Sequence, residues 1–164
     1  MAKRMSQGRA LGWALAAAGS VLGMMAQTAE EDAKLLPEGP GREITGKVCI
    51  NCHDSSNFRK ARLDRDAWED EVGVMVDNGA KATDDELAAV VNYLVENFGP
   101  NSKIHVNTAP VDEIKAVLGL TAAQAVAVVN YRQANGDFKS WQDLLKVPQI
   151  DTKKIEDHKD LLAF

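Results

Sequence analysis

Cys49 and Cys52 stand three positions apart, and His53 follows directly. Thiols at this spacing can each form a thioether with one vinyl group of a haem, and the adjacent imidazole can take the iron from the proximal side. C-x-x-C-H is the attachment string of c-type haem. The string therefore predicts one haem c, with Cys49 and Cys52 as covalent anchors and His53 as the proximal iron ligand. Other uses of the pair need partners that the chain lacks. Zinc takes four ligands, yet Cys49 and Cys52 are the only cysteines, and His105 and His158 stand alone. A thioredoxin-like pair sits in a strand–helix context, whereas 42–48 reads as a short helix. A disulfide between the two would close a very tight loop and stabilise little.

An iron has a second axial position. Met75, 22 residues after His53, is the only methionine beyond the N-terminal run. Its thioether is the expected distal ligand, because an apolar haem pocket would hold a core methionine near the iron, and such a soft donor would raise the reduction potential. Its alternative use is core filler beside Val72 and Val76. His105 and His158 are the remaining donors, and with none of these bound the sixth position is open. Arg59, Arg62 and Arg65 read as a solvated charge cluster.

The ends and the charge bound the setting. Lys3, Arg4 and Arg9 precede an uncharged apolar run, Leu11 to Ala26, and Glu30, Glu31 and Asp32 follow. This is signal-peptide patterning over residues 1–26, with an uncleaved anchor as the alternative. It predicts an exported, periplasmic body. Removing 1–26 takes the net charge from −5 to −8. Residues 38–100 carry net −6, and residues 101–164 carry eight acids and eight bases. An acidic body is a poor ligand for DNA phosphates or anionic lipid and suits a partner with a basic docking patch.

Gly99-Pro100 stops a helix and starts a linker, dividing the rest into modules at 38–99 and 103–164. In the first, Asp64 can cap a helix from Arg65 to Asp77 that ends at Gly79. Trp68, Val72, Met75 and Val76 share one face of it. Thr83-Asp84-Asp85-Glu86 is a capping box, opening a helix with Leu87, Val90, Val91, Leu94, Val95 and Phe98 in period. In the second, helices are expected over 111–118, 122–133 and 151–162, with turns at Gly119-Leu120-Thr121 and Gln149-Ile150-Asp151. No alternating run requires a strand. The fold class is all-α.

Residues 38–99 resemble a small class I cytochrome c, most closely the compact haem domains found with periplasmic quinohaemoprotein dehydrogenases. The shared features are Cys49–His53, Arg65-Asp66-Ala67-Trp68, Met75 before Gly79-Ala80, and Val91-Asn92-Tyr93-Leu94. The resemblance implies that Tyr93-Leu94 packs against the first helix near Gly41. Residues 103–162, through Val106-Asn107-Thr108-Ala109 and Tyr131-Arg132…Asn135-Gly136-Asp137-Phe138, resemble the tandem helix-hairpin-helix domain of ComEA-like exported competence DNA receptors. They are similar also to the extrinsic helix-hairpin-helix subunit of photosystem II, which binds protein. DNA-binding hairpins carry Gly-hydrophobic-Gly, whose glycines let backbone N–H groups approach phosphate. Here one glycine survives in the first turn and none in the second, where Asp151 stands instead. Lys153 and Lys154 follow it.

These features lead to a monohaem c-type electron carrier rather than an enzyme. Its partner would be a periplasmic dehydrogenase or oxidase, and the second module would dock protein through Lys103, Lys139 and Trp141. DNA is not expected as a partner, and membrane contact is expected only if the N-terminal segment stays uncleaved. The alternatives are a haem sensor or peroxidase with an open sixth site, and an exported DNA-binding receptor carrying a haem domain.

Overall fold

The computed structural model describes residues 29–164, so the expected signal peptide at 1–26 lies outside the described residues. Among the described residues no helix is long and apolar enough to cross a membrane. The chain is mostly helical and forms two apolar clusters, one drawn from 36–98 and the other from 104–162.

The first cluster is enclosed by α1 (the helical residues 29–34), α2 (Arg42–Cys49), α3 (Ser56–Arg59), α4 (Arg65–Asp77) and α5 (Asp84–Phe98). Local chemistry sets the ends of the two long helices. The Asp64 carboxylate accepts from Ala67 N at 3.0 Å. Thr83 and Glu86 form the expected reciprocal box, satisfying amides that a helix start leaves without partners. Helix α5 supplies most of the core through Val90, Val91, Tyr93, Leu94 and Phe98. Gly41 lets α2 approach it closely: φ is +88°, and a Cβ there would meet Ala89 O at 2.8 Å and Tyr93 Cβ at 2.9 Å. Two of the large buried side chains in this core find polar partners, whereas the buried Thr45 hydroxyl has none among the described residues. Trp68 Nε1 donates to Phe98 O at 3.3 Å, and Tyr93 Oη donates to Pro37 O at 2.6 Å. Burial holds the Tyr93 phenol neutral, well above its ordinary value.

The face of α4 departs from its expected burial. Trp68 is 1 % exposed, but Val72 and Met75 are only half-buried, and Val76 is exposed. Helical period places these residues together; the core reaches only the first turns of the helix.

The second cluster is built by α6 (Val111–Leu118), α7 (Ala122–Asn135), α8 (Trp141–Leu144) and α9 (Thr152–Asp157). The last helix is shorter than its expected span of 151–162. After Asp157 the chain passes through a 3-10 turn, Lys159–Leu161, into β2 (Leu162–Ala163). This strand pairs in parallel with β1 (Ile104–His105), in the register Ile104↔Leu162 and His105↔Ala163. A two-residue ladder is too short to show alternation in a sequence; what selects it is burial of Ile104 and Leu162 in the same core. Asn107 explains why its segment and the one ending at Phe138 go together. Its side chain donates to Phe138 O and accepts from Phe138 N, both at 2.9 Å.

The two clusters are joined by charge. Arg59 is fully buried, contrary to its reading as part of a solvated cluster. Its Nε donates to Glu113 Oε2 at 2.8 Å, and its remaining donors reach Leu35 O at 2.7 Å and Thr108 Oγ1 at 3.5 Å. Arg62 donates to the other Glu113 oxygen at 3.0 Å. Both guanidinium groups lie about 6 Å from the centre of the Phe98 ring. Only Arg65 keeps its expected exposed position, bonding Asn92 and Glu69 at the surface. Glu113 is an acid in an amphipathic helix, and nothing near it in the sequence signals that it is 1 % exposed.

Two outcomes follow. Glu113→Ala leaves Arg59 buried without its counter-charge and should cost about 3–5 kcal/mol in urea unfolding, far more than removing the exposed pair Lys153–Asp157. His105 is held below its ordinary value near 6.5, by burial first and by Arg59 second. The folded state therefore binds fewer protons than the unfolded chain across that interval. Its contribution to stability is complete above that ordinary value and lost as pH falls through the folded value. Urea midpoints taken between about pH 8 and pH 5 should fall less steeply in His105→Gln than in the parent.

Candidate nucleic-acid interface

The C-terminal module repeats one turn-and-helix design. Helix α6 ends at Gly119, in the left-handed conformation with φ 62° and ψ 22°. Leu120 is buried beneath the turn, and Thr121 caps α7 by accepting from Gln124 N at 3.3 Å. Thirty positions on, Gln149 takes the same left-handed twist, with φ 60°. Ile150 is half-buried, and Asp151 caps α9 by accepting from Lys154 N at 3.2 Å. Gln149 thus stands where the first turn has glycine and holds the same backbone shape. The turn expected at Gln149-Ile150-Asp151 is formed without a glycine, at the strain of a left-handed residue bearing a Cβ.

The two helix starts differ in charge. At α7 the cap is a neutral hydroxyl, and Thr121, Ala122 and Ala123 are exposed. The partial positive charge of a helix start is thus open to an anion there. At α9 a carboxylate already occupies that position. The lysines nearby have local partners: Lys153 bonds Asp157 at 2.8 Å, and Lys146 bonds Asp143 at 2.6 Å. Lys146 and the Lys139 amide hold the Asp143 carboxyl down at about 2. Lys154 donates to Gly119 O, from the second helix to the first turn. Lys103 and Lys139 are exposed, as a docking surface requires, but Trp141 is half-buried against the core.

The residues expected at an iron site fall on α2, the loop after it and α4. Cys49 ends α2, and burial pushes its thiol up to about 11. Cys52 is exposed. The His53 Nδ1 lies 3.1 Å from Asp54 O, and its ring meets Phe58 edge-on with centroids 6.3 Å apart. Met75 is half-buried on α4. Three open clefts on this module are lined by residues of α4 with α5, of α1 with α2, and of α2 with Glu86, and none of them by Cys49, Cys52, His53 or Met75. Among the described residues no group of three or more His, Cys, Asp or Glu side chains could hold a metal ion.

The paired turns, each opening a capped helix, define a helix-hairpin-helix protein, and residues 99–163 match the family described as the helix-hairpin-helix motif. The chain belongs to that family. An uncharacterized protein of Haemophilus influenzae is 35% identical over 89 residues, which cover 51% of this chain and 80% of that relative. ComE operon protein 1 of Bacillus subtilis is 33% identical over 58 residues, 35% of this chain and 28% of that protein. Protein YhgF of Escherichia coli is 35% identical over 71 residues, 43% of this chain and 9% of that protein. The chain thus spans under a third of the latter two. No solved structure matches it.

Two expectations are corrected by these findings. The haem c does not stand: the family match lies wholly beyond Cys49–His53, and the residues around that string present no metal-holding cluster. The electron-transfer role drawn from it loses its basis. The setting aside of a DNA partner does not stand either, because the C-terminal module matches the helix-hairpin-helix family and ComE operon protein 1.

The second turn makes its own prediction. A β-branched side chain has no strain-free place at φ 60°. Gln149→Val should therefore lower stability by about 1–2 kcal/mol in thermal or urea unfolding, and Gln149→Gly should not lower it.

Proposed function

We propose that this chain is an exported DNA-binding protein of the receptor kind, acting by binding rather than by turnover. The observation that carries the reading is the pair of left-handed turns at Gly119 and Gln149, each opening a capped helix. In this arrangement backbone N–H groups, not base-reading side chains, meet the sugar–phosphate backbone. Recognition is then indifferent to sequence. The first turn is the primary phosphate contact, because its neutral Thr121 cap leaves the helix start open. The second is the weaker contact, because Asp151 holds a negative charge there. The export pattern of 1–26 supports placement outside the cytoplasm.

Charge sets how DNA is approached. Residues 38–100 are net −6 and repel a duplex, whereas 101–164 are neutral overall. DNA therefore meets the C-terminal module, and the affinity is modest and strongly salt-dependent. Lys153 adds a cation beside the second turn.

Titration of a labelled random-sequence duplex at low salt tests this. The chain should bind, with log K falling by about 0.9 for each phosphate neutralised per unit of log salt. Lys153→Glu and Thr121→Asp should each weaken binding about tenfold, and Asp151→Asn should strengthen it, with little change between unrelated sequences. Absence of duplex binding at low salt would sink the reading.

A further inference from the structure

The two hairpins hold each other. Gln124, three residues into α7 from its cap, donates through Nε2 to Gln149 O at 3.1 Å, the carbonyl of the left-handed residue in the second turn. Lys154, three residues into α9 from its cap, donates through Nζ to Gly119 O, the carbonyl of the left-handed residue in the first turn. The positions correspond: Gly119 and Gln124 in one hairpin, Gln149 and Lys154 in the other, each pair five apart and thirty residues from its counterpart. Both side chains are half-buried among exposed neighbours, Ala122 and Ala123 on one side, Thr152 and Lys153 on the other. Gln124 also completes its own helix cap through Oε1, which accepts from Thr121 N at 3.1 Å. One amide group thus ties the first helix start to the second turn.

We propose that Gln124 and Lys154 are positioning residues forming a reciprocal clasp, which locks the two hairpin turns into one contact face of fixed spacing for the DNA backbone. This role rests on the DNA-binding reading above. The reason for a clasp is energetic. The carbonyls of the left-handed residues Gly119 and Gln149 lie at exposed positions, and each takes a side-chain donor from the opposite hairpin where water could otherwise serve. Drawing that donor from the opposite hairpin makes the shape of one turn depend on the other. Two contacts held at a set distance bind one backbone with less lost freedom than two contacts that move independently. The clasp also gives Lys154 a use distinct from that of Lys153, whose ammonium pairs with Asp157 on its own helix.

The test uses the full chain with Gln124→Ala, Lys154→Met, the double variant, Lys154→Arg as the conservative replacement and Lys153→Gln as the control. Backbone amide exchange and duplex affinity across a salt series are read together. Gln124→Ala should speed exchange around 149–153, and Lys154→Met should speed it around 119–124, each loosening the hairpin it does not belong to. Each should weaken duplex binding about threefold to tenfold, the range expected for one hydrogen bond. The double variant should fall short of the product of the two. Gln124→Ala removes no charge, so its salt slope should match the parent's, and Lys154→Arg should restore most of the loss. Lys153→Gln should lower the salt slope without altering exchange in the first hairpin. Exchange changes confined to the substituted hairpin would overturn the clasp. So would reciprocal exchange changes with duplex affinity unaltered in both variants. If the parent binds no duplex, the DNA reading falls and takes the clasp's role in binding with it, an outcome separable from the other two.

Discussion

The buried contact of Arg59 and Arg62 with Glu113 is the interaction on which the rest of the molecule depends. It is made of groups that lose hydration on folding, and such a contact holds best when both carboxylate oxygens and the guanidinium donors are occupied. Here most of them are: Glu113 takes one arginine on each oxygen, and Arg59 spends its other donors on Leu35 O and Thr108 Oγ1, while the Arg62 Nε is left without a partner among the described residues. Because Arg59 ends α3 and Glu113 lies in the first turn of α6, neither helix can move without exposing a charge to an unpaired interior. The apolar ring of Phe98 beneath both guanidinium groups closes the contact from the side of α5.

That joint places the hairpins. Helix α6 carries Glu113 at one end and Gly119 at the other, so the helix anchored to the first module delivers the first turn. The second turn is reached through α7, whose buried Ala125 and Val128 face the same core as Ile155 of α9. The parallel pairing of Ile104 with Leu162 then brings the end of the second hairpin back to the start of the module. A small module gains little from its core alone, and this one is closed by its own tail and braced against its neighbour.

The charge distribution separates the two halves by use. The first module is acidic, and its apolar α4 face stays partly open. The second is neutral, with exposed lysines around two helix starts of unequal character. Phosphate neutralisation governs the affinity of nucleic-acid-binding proteins. On the proposed DNA-binding role, a neutral module bearing an acidic cap at one of two turns would make weak, salt-sensitive contact rather than tight retention, and Asp151 would weaken that contact while it caps its own helix.

Much of the architecture was legible in the residues. Asp64, Thr83 with Glu86, and Thr121 mark helix starts because short polar side chains satisfy the amides that a helix start leaves open, and this chemistry needs only neighbours in sequence. The tandem hairpins were legible through the resemblance carried by Val106–Ala109 and Tyr131–Phe138. Tertiary structure decided what depends on residues far apart. It buried Arg59 with Glu113, 54 positions away. It paired Ile104 with Leu162, bent Gln149 into the place of a glycine, and left Met75 and Val76 partly uncovered. The string Cys49–His53 marks the boundary between the two kinds of information. Its spacing states which chemistry the residues could perform, whereas a metal centre also needs donors and walls converging from other elements, and only the fold determines whether they meet.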